Sequence, residues 1–170
     1  MKRLTYIACC LMAMAFATGC KEDELADLNK GDTPLALTLS EQTLILNETN
    51  RDKTILSMNW TSGSNYGTNA AITYELQIAQ AGTGFTDPLT YFPGKTVYNY
   101  TFTTKALNNA IRGHFNTQAG TGITLEARVI ATVAADNVDP QVSPVVSFSV
   151  TTYEPVSETL FLYEIGGAHV

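Results

Sequence analysis

Residues 122–135 read GITLEARVIATVAA. Ile123, Leu125, Ala127, Val129, Ala131 and Val133 alternate with Thr124, Glu126, Arg128, Ile130 and Thr132. A period of two marks a half-buried strand, because successive side chains point to opposite faces. A strand with one apolar face needs a second layer to cover it. This stretch therefore commits the chain to packed β-sheets.

The same pattern recurs on both sides. Upstream, ITYELQI (72–78) puts Ile72, Tyr74, Leu76 and Ile78 inward and Thr73, Glu75 and Gln77 outward. VYNYTFT (97–103) aligns Tyr98, Tyr100 and Phe102, and ILSMNW (55–60) aligns Leu56, Met58 and Trp60. Leu35, Leu37 and Leu39 alternate after Pro34, and residues 43–46 form a short apolar run. Downstream, VVSFSVTT (145–152) turns Val146, Phe148 and Val150 inward. Residues 47–54, 61–69 and 136–141 are polar turns or loops rich in Asn, Asp, Gly and Ser. Residues 81–96 form the longest irregular stretch, with room for a short edge strand. TKALNNAIRGHF (104–115) is the one helical candidate: Ala106, Leu107, Ala110 and Ile111 recur at helical spacing, with Thr104 as cap and Gly113 as stop.

Six or seven one-sided strands separated by turns indicate an all-β, antiparallel β-sandwich over residues 34–155. Composition agrees. Hydrophobic residues make up 45% and charged residues 15%, which supports a packed core and not a disordered chain. The net charge of −6 leaves no basic stripe for phosphates, so nucleic acid is excluded as a partner.

The first 33 residues have a different character. Lys2 and Arg3 precede an apolar run, Leu4–Thr18, which is shorter than the ~20 residues of a spanning helix but suits a signal peptide. Ala15-Phe16-Ala17 would serve as an ordinary cleavage site. Ala17-Thr18-Gly19-Cys20 resembles the lipobox of bacterial lipoproteins, although Ala17 stands where Leu is usual. On that reading residues 1–19 are a lipoprotein signal peptide and Cys20 carries a covalent lipid. Residues 20–33 become an acidic tether. Cys9 and Cys10 leave with the leader, and the lipid occupies the one remaining thiol. The folded part then has neither a disulfide nor cysteine-based metal or thiol chemistry.

Catalytic constellations are not visible. His114 and His169 lack ligand spacing, and the two G-T-G segments precede strands instead of opening helices. Asp136 and Asp139 read as turn formers before they read as calcium ligands. Glu75 and Glu126 lie on outward strand faces and form no evident glycosidase pair. The chain is read as a non-enzyme with no cofactor beyond the lipid on Cys20. Exposed rings are the usual stacking platforms for sugars. Trp60 reads as core by its register, leaving Tyr66, Tyr91 and Phe92 as loop aromatics able to meet a glycan or a protein.

The ordered set of segments resembles a fibronectin type III or related immunoglobulin-like domain. More specifically it is similar to the N-terminal region of SusE-like outer-membrane lipoproteins of the Bacteroidetes. The segments that carry the resemblance are the Cys20 leader, LALTLSEQT, LSMNWTSGSNYGTNAAITYELQIAQAGTGF, TTKALNNAI, ITLEARVIATV and SPVVSFSVTTYEP. It implies a surface-exposed, lipid-anchored protein of the outer membrane, working in starch or other glycan utilisation beside SusC- and SusD-like transporter components. It also gives KEDE (21–24) a reading as an outward export signal. In such proteins carbohydrate-binding modules come after the immunoglobulin-like domain. Residues 156–170, with LFLYEIGG, look like the opening of such a module. The resemblance therefore carries over no glycan-contacting residue.

Overall fold

The computed structural model describes residues 33–156. The leader, Cys20, the tether up to residue 32 and residues 157–170 lie outside the described residues. Among the described residues, nine strands and one α-helix succeed one another in order. They are β1 (Leu37–Leu39), β2 (Thr43–Ile45), β3 (Thr54–Trp60), β4 (Ile72–Gln80), β5 (Leu89–Lys95), β6 (Asn99–Thr103), α1 (Thr104–Phe115), β7 (Gly122–Val133), β8 (Gln141–Val142) and β9 (Val146–Thr151). A single 3-10 turn, Glu48–Asn50, lies between β2 and β3.

Two sheets form the sandwich. One has the order β1-β3-β6; the other runs β2-β9-β7-β4-β5, with β8 also paired to β7. This partition is the immunoglobulin-like one, in which a smaller sheet faces a larger one across the core. β7 lies at the centre of the larger sheet because its inward face is apolar throughout. Leu125, Ala127, Val129 and Ala131 are fully buried. It pairs with β4 over nine residues, Ile72 opposite Val133 through Gln80 opposite Leu125. Leu56 and Met58 of β3 and Phe102 of β6 close the core from the other sheet, and Trp60 is buried with them.

Four expectations need correction. First, the sandwich is not wholly antiparallel: β2 runs parallel to β9. The N-terminal segment pairs with β3 through β1, then crosses near Ser40–Gln42 and adds β2 to the opposite sheet. Second, residues 81–96 are less irregular than they read: the expected edge strand is there, but as β5 it takes up seven of them, and it tolerates Pro93 because an edge leaves some backbone N–H groups unpaired. Third, the turn read over residues 136–141 gives up Gln141 to a short strand, β8, ahead of the closing strand. β8 and β9 pair with successive parts of β7, and the Ser143 hydroxyl accepts from Val129 N–H at 3.0 Å in the gap.

The fourth correction concerns α1. Its N-cap is Thr103, whose hydroxyl accepts from the Ala106 N–H at 3.2 Å. Thr104 is buried, and its hydroxyl donates to the Lys53 carbonyl at 3.4 Å. The helix runs through Gly113 and stops only where Asn116 enters the left-handed region at φ 50°. Gly113 thus gives no signal its neighbours obey. A Cβ added there meets nothing within 4 Å. Gly113→Ala is expected to raise stability by up to about 1 kcal/mol, seen as a higher urea midpoint at unchanged slope.

Candidate functional surface

The termini of the sandwich lie at opposite poles. Thr61, just past β3, donates from its N–H to the Ala36 carbonyl and from its hydroxyl to the Pro34 carbonyl. The incoming chain is therefore fixed at the Trp60 end of β3. The outgoing chain is fixed beside α1, at the Thr54 end. β3 alone spans about 23 Å at the usual rise per residue.

The grip on the outgoing chain is specific. Asn108 of α1 has no exposed surface. Its side-chain amide donates to the Tyr153 carbonyl at 3.1 Å, and its side-chain oxygen accepts from the Tyr153 N–H at 2.9 Å. One amide thus pairs with both backbone groups of Tyr153, as a neighbouring strand would. Arg112, one turn on, donates to the same carbonyl at 3.1 Å and to the Glu154 carboxylate at 2.7 Å. Helical spacing puts both on one face of α1. Sequence alone does not single them out. Their i, i+4 spacing is visible there, but nothing local names a partner 45 residues away.

The N-terminal pole carries the loop of residues 61–71. Gln141 accepts from the Ser64 N–H at 2.9 Å and donates to the Ser64 carbonyl at 2.6 Å. Gly63 sits at φ 66°, and a Cβ there would lie 3.0 Å from the Gln141 Oε1, so the position needs glycine. The Tyr74 hydroxyl donates to the Ser62 carbonyl at 2.7 Å. On this braced loop Tyr66 adopts φ 54° and is 57% exposed.

Tyr91 and Phe92 do not join Tyr66 in a loop. Both belong to β5, where neighbours point to opposite faces. Tyr91 turns inward, its ring centroid 4.8 Å from that of Tyr100 and 5.3 Å from that of Phe102. Phe92 points outward and is 75% exposed. The two rings therefore cannot form one stacking platform. The outer face of this sheet is polar: Gln77 donates to Glu75 at 2.6 Å and accepts from Arg128 at 2.8 Å. The Arg128 guanidinium lies 4.0 Å from the centroid of the Phe85 ring. Among the described residues no group of three His, Cys, Asp or Glu side chains is placed to hold a metal ion. His114 lies in the last turn of α1, with its Nε2 2.8 Å from the Asp87 carbonyl oxygen.

Burial acts on the tyrosines as a group. It pushes the hydroxyls of Tyr74, Tyr91 and Tyr153 up from their ordinary range. Neighbouring Tyr98 adds to the effect on Tyr74, Tyr100 to that on Tyr91, and Glu48 to that on Tyr153. In the unfolded chain these phenols lose their protons near pH ~10, while the folded chain holds them longer. The unfolded state then binds fewer protons, so stability falls as pH rises above ~10. Urea midpoints at pH 8 and pH 10.5 should show this loss, and Tyr74→Phe should lose less than the parent across that interval.

The fold and its surface define an immunoglobulin-like β-sandwich module whose chain is held at one pole on the way in and at the other on the way out. The chain belongs to the SusE outer membrane protein family, whose model matches residues 21–130. It is accordingly an outer membrane protein. No curated protein matches the chain. Among solved structures, the periplasmic chaperone SfaE matches at 12% identity with a TM-score of 0.33. That match covers 72% of this chain and 60% of the chaperone.

Proposed function

We propose that this protein is a lipid-anchored, surface-exposed, non-catalytic lipoprotein of a starch- or glycan-utilisation system, with the β-sandwich as spacer for glycan capture. The observation that carries the reading is the opposite placement of the two chain ends. A module held at Pro34 on one pole and at Tyr153 on the other keeps its N-terminal tether and its C-terminal continuation apart. Family membership supports the setting in the outer membrane. In this reading Cys20 holds the lipid, the acidic residues 21–33 give reach, and SusC- and SusD-like transporter components are the neighbours.

Two measurements test it. Cys20→Ala should move the protein from the membrane to the soluble fraction; retention in the membrane would sink the anchor. For the spacer, spin labels go at Thr33→Cys and Pro155→Cys, with Cys9, Cys10 and Cys20 replaced by Ala. The expected result is a single narrow distance on the order of 30–40 Å. A short or broad distribution rejects the spacer geometry.

A second reading has the sandwich itself grip a glycan or a protein through its aromatics. The exposure of Tyr66 and Phe92 favours it, whereas Tyr91 serves the core. Tyr66→Ala and Phe92→Ala, tested separately for retention on immobilised starch, decide whether either ring takes part.

A further inference from the structure

Where α1 ends, the C-terminal pole carries a hollow of about 380 Å³. That volume falls within the ~300–1,000 Å³ of small-ligand sites. Its walls are the end of α1 and the loop after it, the start of β7, and Gln80 at the end of β4. Phe115 and Ile123, both half-buried, supply its apolar surface. Gln80, Asn116 and Gln118 bring three carboxamides, and Thr117 and Thr121 bring two hydroxyls. None of the residues that line the hollow is ionisable. Among the described residues, none of these five polar side chains makes a hydrogen bond.

The backbone of the same loop is braced. The Gly120 N–H donates to the Thr152 carbonyl at 2.8 Å, and the Thr152 hydroxyl donates to the Gln118 carbonyl at 2.9 Å. The Thr121 N–H donates to that carbonyl too, at 3.2 Å. Main-chain groups are thus engaged while the side chains stay free, and a loop fixed in advance loses little entropy when it binds. Carboxamides and hydroxyls both donate and accept. They match a ligand whose own polar groups do both and carry no charge. A carboxylate or phosphate would find no cation here, and an ammonium no carboxylate. A half-exposed aromatic ring offers its face to the C–H face of a sugar. We propose that this hollow is a binding subsite for a neutral oligosaccharide, with Phe115 as the stacking ring and Gln80, Thr117, Gln118 and Thr121 as its hydrogen-bonding rim. The proposal rests on the glycan-utilisation reading for its setting. It makes the sandwich a spacer that also holds sugar, beside the point where the chain leaves.

Titration of the isotope-labelled full chain, followed by amide NMR, tests it. The probes are maltohexaose, cellohexaose and xylohexaose, with hexagalacturonate as the charged comparison. At least one neutral hexasaccharide is expected to bind saturably, with Kd on the order of 1 mM, and to shift the amides of Thr117, Thr121 and Gly122. Gln80→Ala combined with Gln118→Ala, both at exposed sites, is expected to weaken that binding about tenfold while leaving the urea midpoint unchanged. Phe115→Leu keeps an apolar side chain but removes the ring, and should weaken binding as well. Tyr66→Ala and Phe92→Ala should leave it intact. Three results would overturn the proposal: no neutral probe shifts these amides, hexagalacturonate binds as well as the neutral probes, or the double glutamine variant binds like the parent. Loss on Tyr66→Ala or Phe92→Ala alone also overturns it, by moving the binding to the second reading above. None of these results alters the 33-to-155 distance or the fractionation of Cys20→Ala, so the spacer reading stands or falls separately.

Discussion

Leu76→Ala is expected to cost about 2–5 kcal/mol and to lower the thermal midpoint by roughly 10–20 °C. Leu76 has no exposed surface. It sits on β4 between Tyr91 of β5 and Val129 of β7, so its side chain packs where three strands meet. Val129 and Ala127 are fully buried on the adjoining strand and have no slack to fill the space. The loss includes the transfer term for the deleted carbons and a cavity term on top. Against a total of about 5–15 kcal/mol for a domain, it is a large fraction. Equilibrium urea unfolding measures it. A cost under about 1 kcal/mol would mean that β4 does not occupy the centre of the core.

Asn108→Ala comes second, at about 2–3 kcal/mol, for a different reason. The substitution removes few packing contacts but leaves the Tyr153 N–H without its partner, and the Tyr153 carbonyl with Arg112 alone. Leaving a buried backbone group unpaired costs about 1–3 kcal/mol. Asn108→Asp separates the two halves of the contact. The aspartate keeps an acceptor for the Tyr153 N–H but aims a second oxygen at the carbonyl. Protonated, the carboxyl donates as the amide did. Burial raises the pKa of such a group, so its native contact is present at low pH and lost as pH rises through that value. The difference from the parent should therefore be small at pH 4 and large at pH 8. A pH-independent difference would mean that the contact acts by shape alone.

Much of this architecture is legible in one dimension because strand burial has a period that neighbours enforce. Val129 follows Ala127 and Leu125 inward whatever else the chain does. Helix limits are less legible. Thr103 and Thr104 are the same residue type, and which one caps depends on where β6 releases the backbone. β8 is not legible: two residues, Gln141 and Val142, carry no period, and they pair only because β7 extends past β9. The parallel pairing of β2 is hidden because Leu44 would be buried in either orientation. For the aromatics, the alternation that reads strands elsewhere also applies to Leu89–Lys95, and it separates Tyr91 from Phe92. Pro93 and Gly94 obscure it by reading as loop. The Asn108 grip lies beyond sequence reasoning of this kind, because its meaning depends on Tyr153 passing beneath the helix.

The crossing of the first segment between the sheets bears on how the protein withstands pulling. β2 and β9 run in the same direction, and the chain leaves directly after β9. A load applied between the two chain ends draws β2 toward one pole and β9 toward the other. The bonds between them, Ser149 N–H to Gln42 O and Leu46 N–H to Thr151 O among them, lie across that pull. They must yield together in shear, whereas bonds in a peeled hairpin open one at a time. Pulled from its two chain ends, the sandwich would therefore resist most strongly along the axis that joins its poles.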